Sequence, residues 1–147
     1  MSSINSEPSA IQFLKAEQFT WLRDVALDHL ESVVAVHSCS DESSVSVPSS
    51  QGQVELTQLL RDRFEGLGAE VEVDEFANII ARYPGRGRGK SAAPIALMIH
   101  LDTAHGTVAL PKLNLSESWG GETVNFKRNP SLEVNTVHYP SLAQFLG

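Results

Sequence analysis

From residue 16 to 36, Leu22, Val25, Ala26, Leu30, Val33 and Val36 recur at steps of three and four, the spacing that lines one face of a helix with apolar side chains. A second stripe runs through "GQVELTQLLRDRFEGLG" (52 to 68), where Leu56, Leu59, Leu60, Phe64 and Leu67 share a face. Gly66 and Gly68 suit its C-terminus, because glycine takes positive φ at little cost. Between the two helices lies the Ser-rich "HSCSDESSVSVPSSQ" (37 to 51). Its hydroxyls compete for backbone hydrogen bonds, which predicts a loop ending in an N-cap. The period then changes to two. "AEVEVDE" alternates apolar and acidic positions and predicts a strand with one wet face, and "NIIARY" predicts a second strand able to pair with it. "PIALMIHLD" (94 to 102) is apolar throughout and predicts a strand covered on both faces, reached through the turn-rich "PGRGRGKSAA". Beyond His105 the periodicity fades into loops and hairpins, with two short β-like pieces near 122 to 127 and 132 to 138.

This order of helix, helix, strand, strand, strand is an α/β pattern, and 147 residues fit one domain. Residues 1 to 14 are polar and Ser-rich and predict a flexible arm, with residues 15 to 147 forming the folded part. A formal charge of -7, with no basic stripe, argues against a general nucleic-acid binder, since neutralising phosphates needs a basic surface. The lone Cys39 has no internal disulfide partner, and the N-terminus lacks a basic then apolar leader, so a cytoplasmic setting is expected. The longest apolar run, "PIALMI", is far short of the roughly 20 residues that span a bilayer.

Several residues invite a chemical reading. "GRGRGKS" (85 to 91) ends like a phosphate loop, but Pro84 stands where the first glycine is required and a strand is expected to follow, so a solvated hairpin loop is the better reading. Cys39 and His37, two residues apart in a Ser-rich loop, fix no nucleophile–base geometry, and the bland alternative is an incidental thiol. His29 falls on the helix stripe as a packing histidine, and Trp119 covers the core beside a Gly-Gly turn. His100 and Asp102 are different. At i and i+2 on a strand they project to the same face, and they fall at the strand's carboxyl end, where open α/β sheets bind ligands. A neutral imidazole is a good zinc ligand and a neighbouring carboxylate can fix its orientation, although a satisfied polar strand end has the same spacing.

Beyond the pair itself, "ELTQLLRDRFEGLGAEVEVDEFANIIARYPG" followed by "APIALMIHLDTAHGT" resembles the amino-terminal part of the zinc exopeptidase family of the aminoacylase and peptidase T type. Asp74, Glu75, Asn78, Ile79, Ile80 and Ala81 match its Asp-Glu-x-x-Asn-Ile-Ile-Ala stretch. "SWGGETVNF" and "HYPSLAQFLG" resemble the peptidase T branch, and the likeness covers roughly residues 16 to 147. The resemblance implies the amino-terminal portion of a catalytic domain with helices packed on a mixed β-sheet. It also implies a metallopeptidase that removes amino-terminal residues from short peptides using two zinc ions. His100 matches a histidine that binds one zinc, and Asp102 matches the aspartate, counted with the catalytic machinery, that orients that imidazole.

In the family the bridging aspartate, the glutamate pair with the general base, a further acidic ligand and a last histidine follow the stretch that resembles "HYPSLAQFLG". Glu117, Glu122, Glu133, His105 and His138 match none of them. The expectation is an aminopeptidase fragment, inactive alone, whose full-length form takes short peptides and is a candidate homo-oligomer, without nucleic-acid or membrane partners. The alternative is a non-catalytic binding or assembly module derived from the same fold.

Overall fold

The computed structural model describes residues 15–116, 118–127 and 129–146, so the arm expected over 1 to 14 and Glu117 lie outside the described residues. The chain forms two compact units, Met1–Lys112 and Leu113–Gly147. Both combine helical segments with a small antiparallel sheet, in keeping with the α/β class.

In the first unit, helix α1 spans Ala16–Val34 and helix α2 spans Gln51–Gly66. Both expected stripes therefore form helices, but they are used differently. α2 buries Leu56, Thr57 and Leu60, whereas no residue of α1 is buried and Trp21, Leu22, Val25 and Leu30 stand exposed. Periodicity specifies a helix with an apolar face; it does not supply the surface that covers the face. α1 is tied to α2 by Arg63, whose Nη1 donates to Nδ1 of His29 at 2.8 Å and whose Nη2 pairs with Asp28 at 3.2 Å. α2 ends as its glycines predict, with Gly68 at φ +83 donating its N–H to the Glu65 carbonyl.

Strands β1 (Glu70–Val73) and β2 (Ile79–Arg82) pair antiparallel, with Glu70 opposite Arg82 and Val73 opposite Ile79, as the alternation suggested. Asp74 closes their turn, accepting the N–H groups of Phe76 and Asn78 and the Asn78 side-chain amide. Those bonds, the Asn78 side chain first, hold its carboxyl below the usual range. Thr57 of α2 reaches this turn and donates to the Ala77 carbonyl at 2.9 Å.

Two expectations are corrected. "GRGRGKS" is no hairpin loop: Gly87–Ser91 forms a 3-10 helix. The apolar run 94 to 102 is not a paired strand, and the large side chains of residues 95, 97, 98 and 99 stand in solvent. A strand needs a neighbour for its backbone groups, and apolar composition alone provides none. Pairing begins only at Thr103, in a parallel bridge with Cys39.

In the second unit, strands β3 (Val124–Phe126) and β4 (Asn129–Val134) pair antiparallel, with Asn125 opposite Glu133. β4 stops short of the expected 138 because the Asn135 side chain accepts the N–H groups of Val137 and His138 and bends the chain. A 3-10 helix, Pro140–Phe145, follows. Among the described residues no helix is long and apolar enough to cross a membrane.

Candidate functional site

His100 and Asp102 come together through a chain of side chains drawn from three stretches of the first unit. The bridge at residue 103 sets the geometry: Thr103 N–H donates to the Ser38 carbonyl and Ser40 N–H donates to the Thr103 carbonyl, each at 3.1 Å. That pairing lays the Ser-rich loop beside the carboxyl end of the apolar run. The Ser40 hydroxyl then donates to Oδ2 of Asp102 at 2.6 Å, while Gln53 in the first turn of α2 donates its amide to Ser40 Oγ at 3.3 Å. α2 can approach this closely because residue 52 is glycine: a Cβ there would overlap the His37 carbonyl.

The other carboxylate oxygen faces the imidazole. His100 Nδ1 lies 2.8 Å from the Asp102 carbonyl oxygen and 3.2 Å from Asp102 Oδ1. Both partners can only accept, so Nδ1 carries the hydrogen and the lone pair of the neutral ring falls on Nε2. The side chain is 84% exposed, so Nε2 faces solvent. Asp102 is held below the usual carboxylate range, chiefly by the Ser40 hydrogen bond, with burial opposing and the His100 hydrogen bond adding to the lowering.

Beside this pair lies a cavity of about 380 Å³ lined in part by His37, Cys39, Asp41, Ser50 and His105. Three of its reactive groups are tied to the backbone or the loop. The His37 ring bonds the Thr107 carbonyl at 3.1 Å, the buried Cys39 thiol donates to the Ala104 carbonyl at 3.2 Å, and Asp41 accepts from Ser43. His37 and Cys39 thus face separate backbone partners, not each other. In the second unit, Glu122 accepts the Gly120 N–H and His138 lies 3.5 Å from Glu133.

Among the described residues no three His, Cys, Asp or Glu side chains gather as a metal site. A closed zinc site takes about four ligands and an open catalytic one three. One imidazole backed by a carboxylate is a fragment of such a set, so these residues alone do not fit a resident metal. The sequence paired His100 with Asp102, which the structure brings within hydrogen-bond reach, and did not single out Ser40 or Gln53, which bond next to them. Ser40 was one hydroxyl among many in a loop, and Gln53 was a polar position on a helix. Only the Cys39–Thr103 bridge distinguishes them.

No protein-family profile matches the chain. It is similar to peptidase T of Macrococcus caseolyticus (strain JCSC5402), 30% identical over 129 residues that make up 86% of this chain and 30% of that protein. It is likewise similar to peptidase T of Listeria welshimeri, 28% identical over 86% of this chain and 31% of that protein. Peptidase T of Halothermothrix orenii is 26% identical over 82% of this chain and 30% of that protein. The chain therefore spans about 30% of the length of the curated relatives it matches.

Proposed function

We propose, from the similarity of this chain to peptidase T over most of its length, that it forms the His100 and Asp102 wall of a zinc-dependent aminopeptidase site acting on short peptides. The observation that carries this reading is the imidazole itself. Nδ1 is held by Asp102, Asp102 is held by Ser40, and Nε2 is left presented to solvent, the arrangement in which a carboxylate sets a histidine for a metal. In this reading His100 is one ligand, Asp102 is its positioning residue, and Ser40 and Gln53 fix the carboxylate. The other ligands and the general base are supplied by residues outside these 147, so the chain alone is inactive. A cytoplasmic setting, which suits the reduced, buried Cys39, is part of the same proposal.

The test is an assay of the purified chain with a tripeptide and added zinc, alongside a zinc titration by calorimetry. No release of amino-terminal residues and weak zinc binding that disappears in His100→Ala are expected. Zinc-dependent hydrolysis by this chain, or tight zinc binding that survives His100→Ala, would overturn the reading. The alternative of an assembly module is favoured by one observation, the exposed apolar run that precedes His100.

A further inference from the structure

We propose that Gln53 is a positioning residue that must be an amide: set by the Ser49 N–H at the end of the Ser-rich loop, it directs the Ser40 hydrogen to Asp102. The inference rests on the reading of Asp102 as the group that sets His100. Each link has a forced direction. The Ser49 backbone N–H can only donate, and it donates to Gln53 Oε1 at 2.9 Å. That settles which end of the amide is which, so Nε2 faces the hydroxyls and donates to Ser40 Oγ and Ser49 Oγ, each at 3.3 Å. An N–H cannot take the one hydroxyl hydrogen of Ser40. It goes instead to Asp102 Oδ2, at 2.6 Å, an oxygen that as a carboxylate can only accept.

The same amide ties the loop to the site. Asp41 N–H donates to Ser49 Oγ at 3.1 Å, so both ends of residues 41–49 meet where Gln53 is held. A helix-end role alone would not need an amide. Gln53 is the third residue of α2, the position from which either glutamine or glutamate accepts a backbone N–H at a helix start. Glutamate serves there equally, and its charge suits the positive end of the helix. What it lacks is a hydrogen for Ser40. In Gln53→Glu one oxygen still accepts from Ser49, but the other faces the Ser40 hydroxyl as an acceptor, and two carboxylates compete for one hydrogen.

Carboxyl-carbon NMR of the purified chain at neutral pH tests this. Gln53→Glu is expected to move the Asp102 signal as far as Ser40→Ala does, although its Ser40 is intact, whereas Gln53→Ala leaves Ser40 free to donate and moves it less. Helical circular dichroism and protection of the Thr103 amide are expected to be unchanged in all three. One measurement needs no variant: in the wild-type chain the Gln53 side-chain amide hydrogens should exchange more slowly than those of the exposed Gln51. An unmoved Asp102 signal in folded Gln53→Glu, a shift in Gln53→Ala as large as in Gln53→Glu, or Gln53 hydrogens exchanging as fast as those of Gln51 would each overturn the proposal. Zinc takes no part in these measurements, so their failure is distinguishable from failure of the zinc reading.

Discussion

The residues just before His100 and those just after Asp102 are close in sequence and opposite in structural standing. Upstream, residues 95–99 touch no ladder and stand in solvent. Downstream, Asp102 is bonded to Ser40, Thr103 is bridged to Cys39, Ala104 accepts from the Cys39 thiol, and Leu110 donates to the Val34 carbonyl at 2.7 Å. The upstream side is the more hydrophobic, yet the downstream side is the hydrogen-bonded one. Hydrogen bonding here follows the supply of partners and not hydrophobicity, and the candidate site sits where that supply begins.

The largest test sets the exposed run against a buried position of the same unit. Leu56→Ala, deep in the α2 contact, should destabilise the first unit by about 2–5 kcal/mol, whereas Leu97→Ala should change stability by less than about 0.5 kcal/mol in dilute solution, both read by urea unfolding. Next, Gly52→Ala should cost about 1–3 kcal/mol, because the new methyl must push α2 away from the His37 carbonyl and with it Gln53 from Ser40.

A finer test is hydrogen exchange. The amides of Thr103 and Leu110, bonded to Ser38 and Val34, should be protected, and those of Leu97 and Met98 should exchange at the rate of an unstructured chain at low concentration. Protection of residues 95–99 in the dilute monomer would erase the contrast.

The smallest expected effects are in pH. Asp102 is held below the ordinary value of 3.8, so what it contributes to stability is present above that value and is lost as pH falls through the lower folded one. Ser40→Ala should move the Asp102 titration, followed by carboxyl NMR, back up toward the ordinary value. His29 is also lowered, from 6.5, by burial and then by Arg63. The neutral ring is the form that accepts from Arg63, so the α1–α2 tether is complete above 6.5 and weakens as pH falls toward the lower folded value.

Sequence pattern carried the local elements well. The two helices, the glycine ending of α2, and the alternation that pairs β1 with β2 are properties of short windows, and they formed where expected. It misread residues 94–102 because a buried strand is defined by neighbours that no window contains. The proximity of His100 and Asp102 was legible because residues two apart stay within side-chain reach even without the strand expected there. Ser40 and Gln53 were not, since their place in the site depends on a bridge across more than sixty residues, as the Ser40 to Asp102 separation of 62 shows.

The proposed role of Asp102 is to fix His100 with Nε2 presented to a metal. Its most direct measurement is the tautomer of His100 by nitrogen-15 NMR, in the wild type and in Asp102→Ala, with and without zinc. The expected result is an Nδ1-protonated ring in the wild type, a zinc-induced shift at Nε2, and a mixed tautomer with a weakened zinc response in the variant. An Nε2-protonated ring, or identical tautomer and zinc response in both proteins, would contradict it.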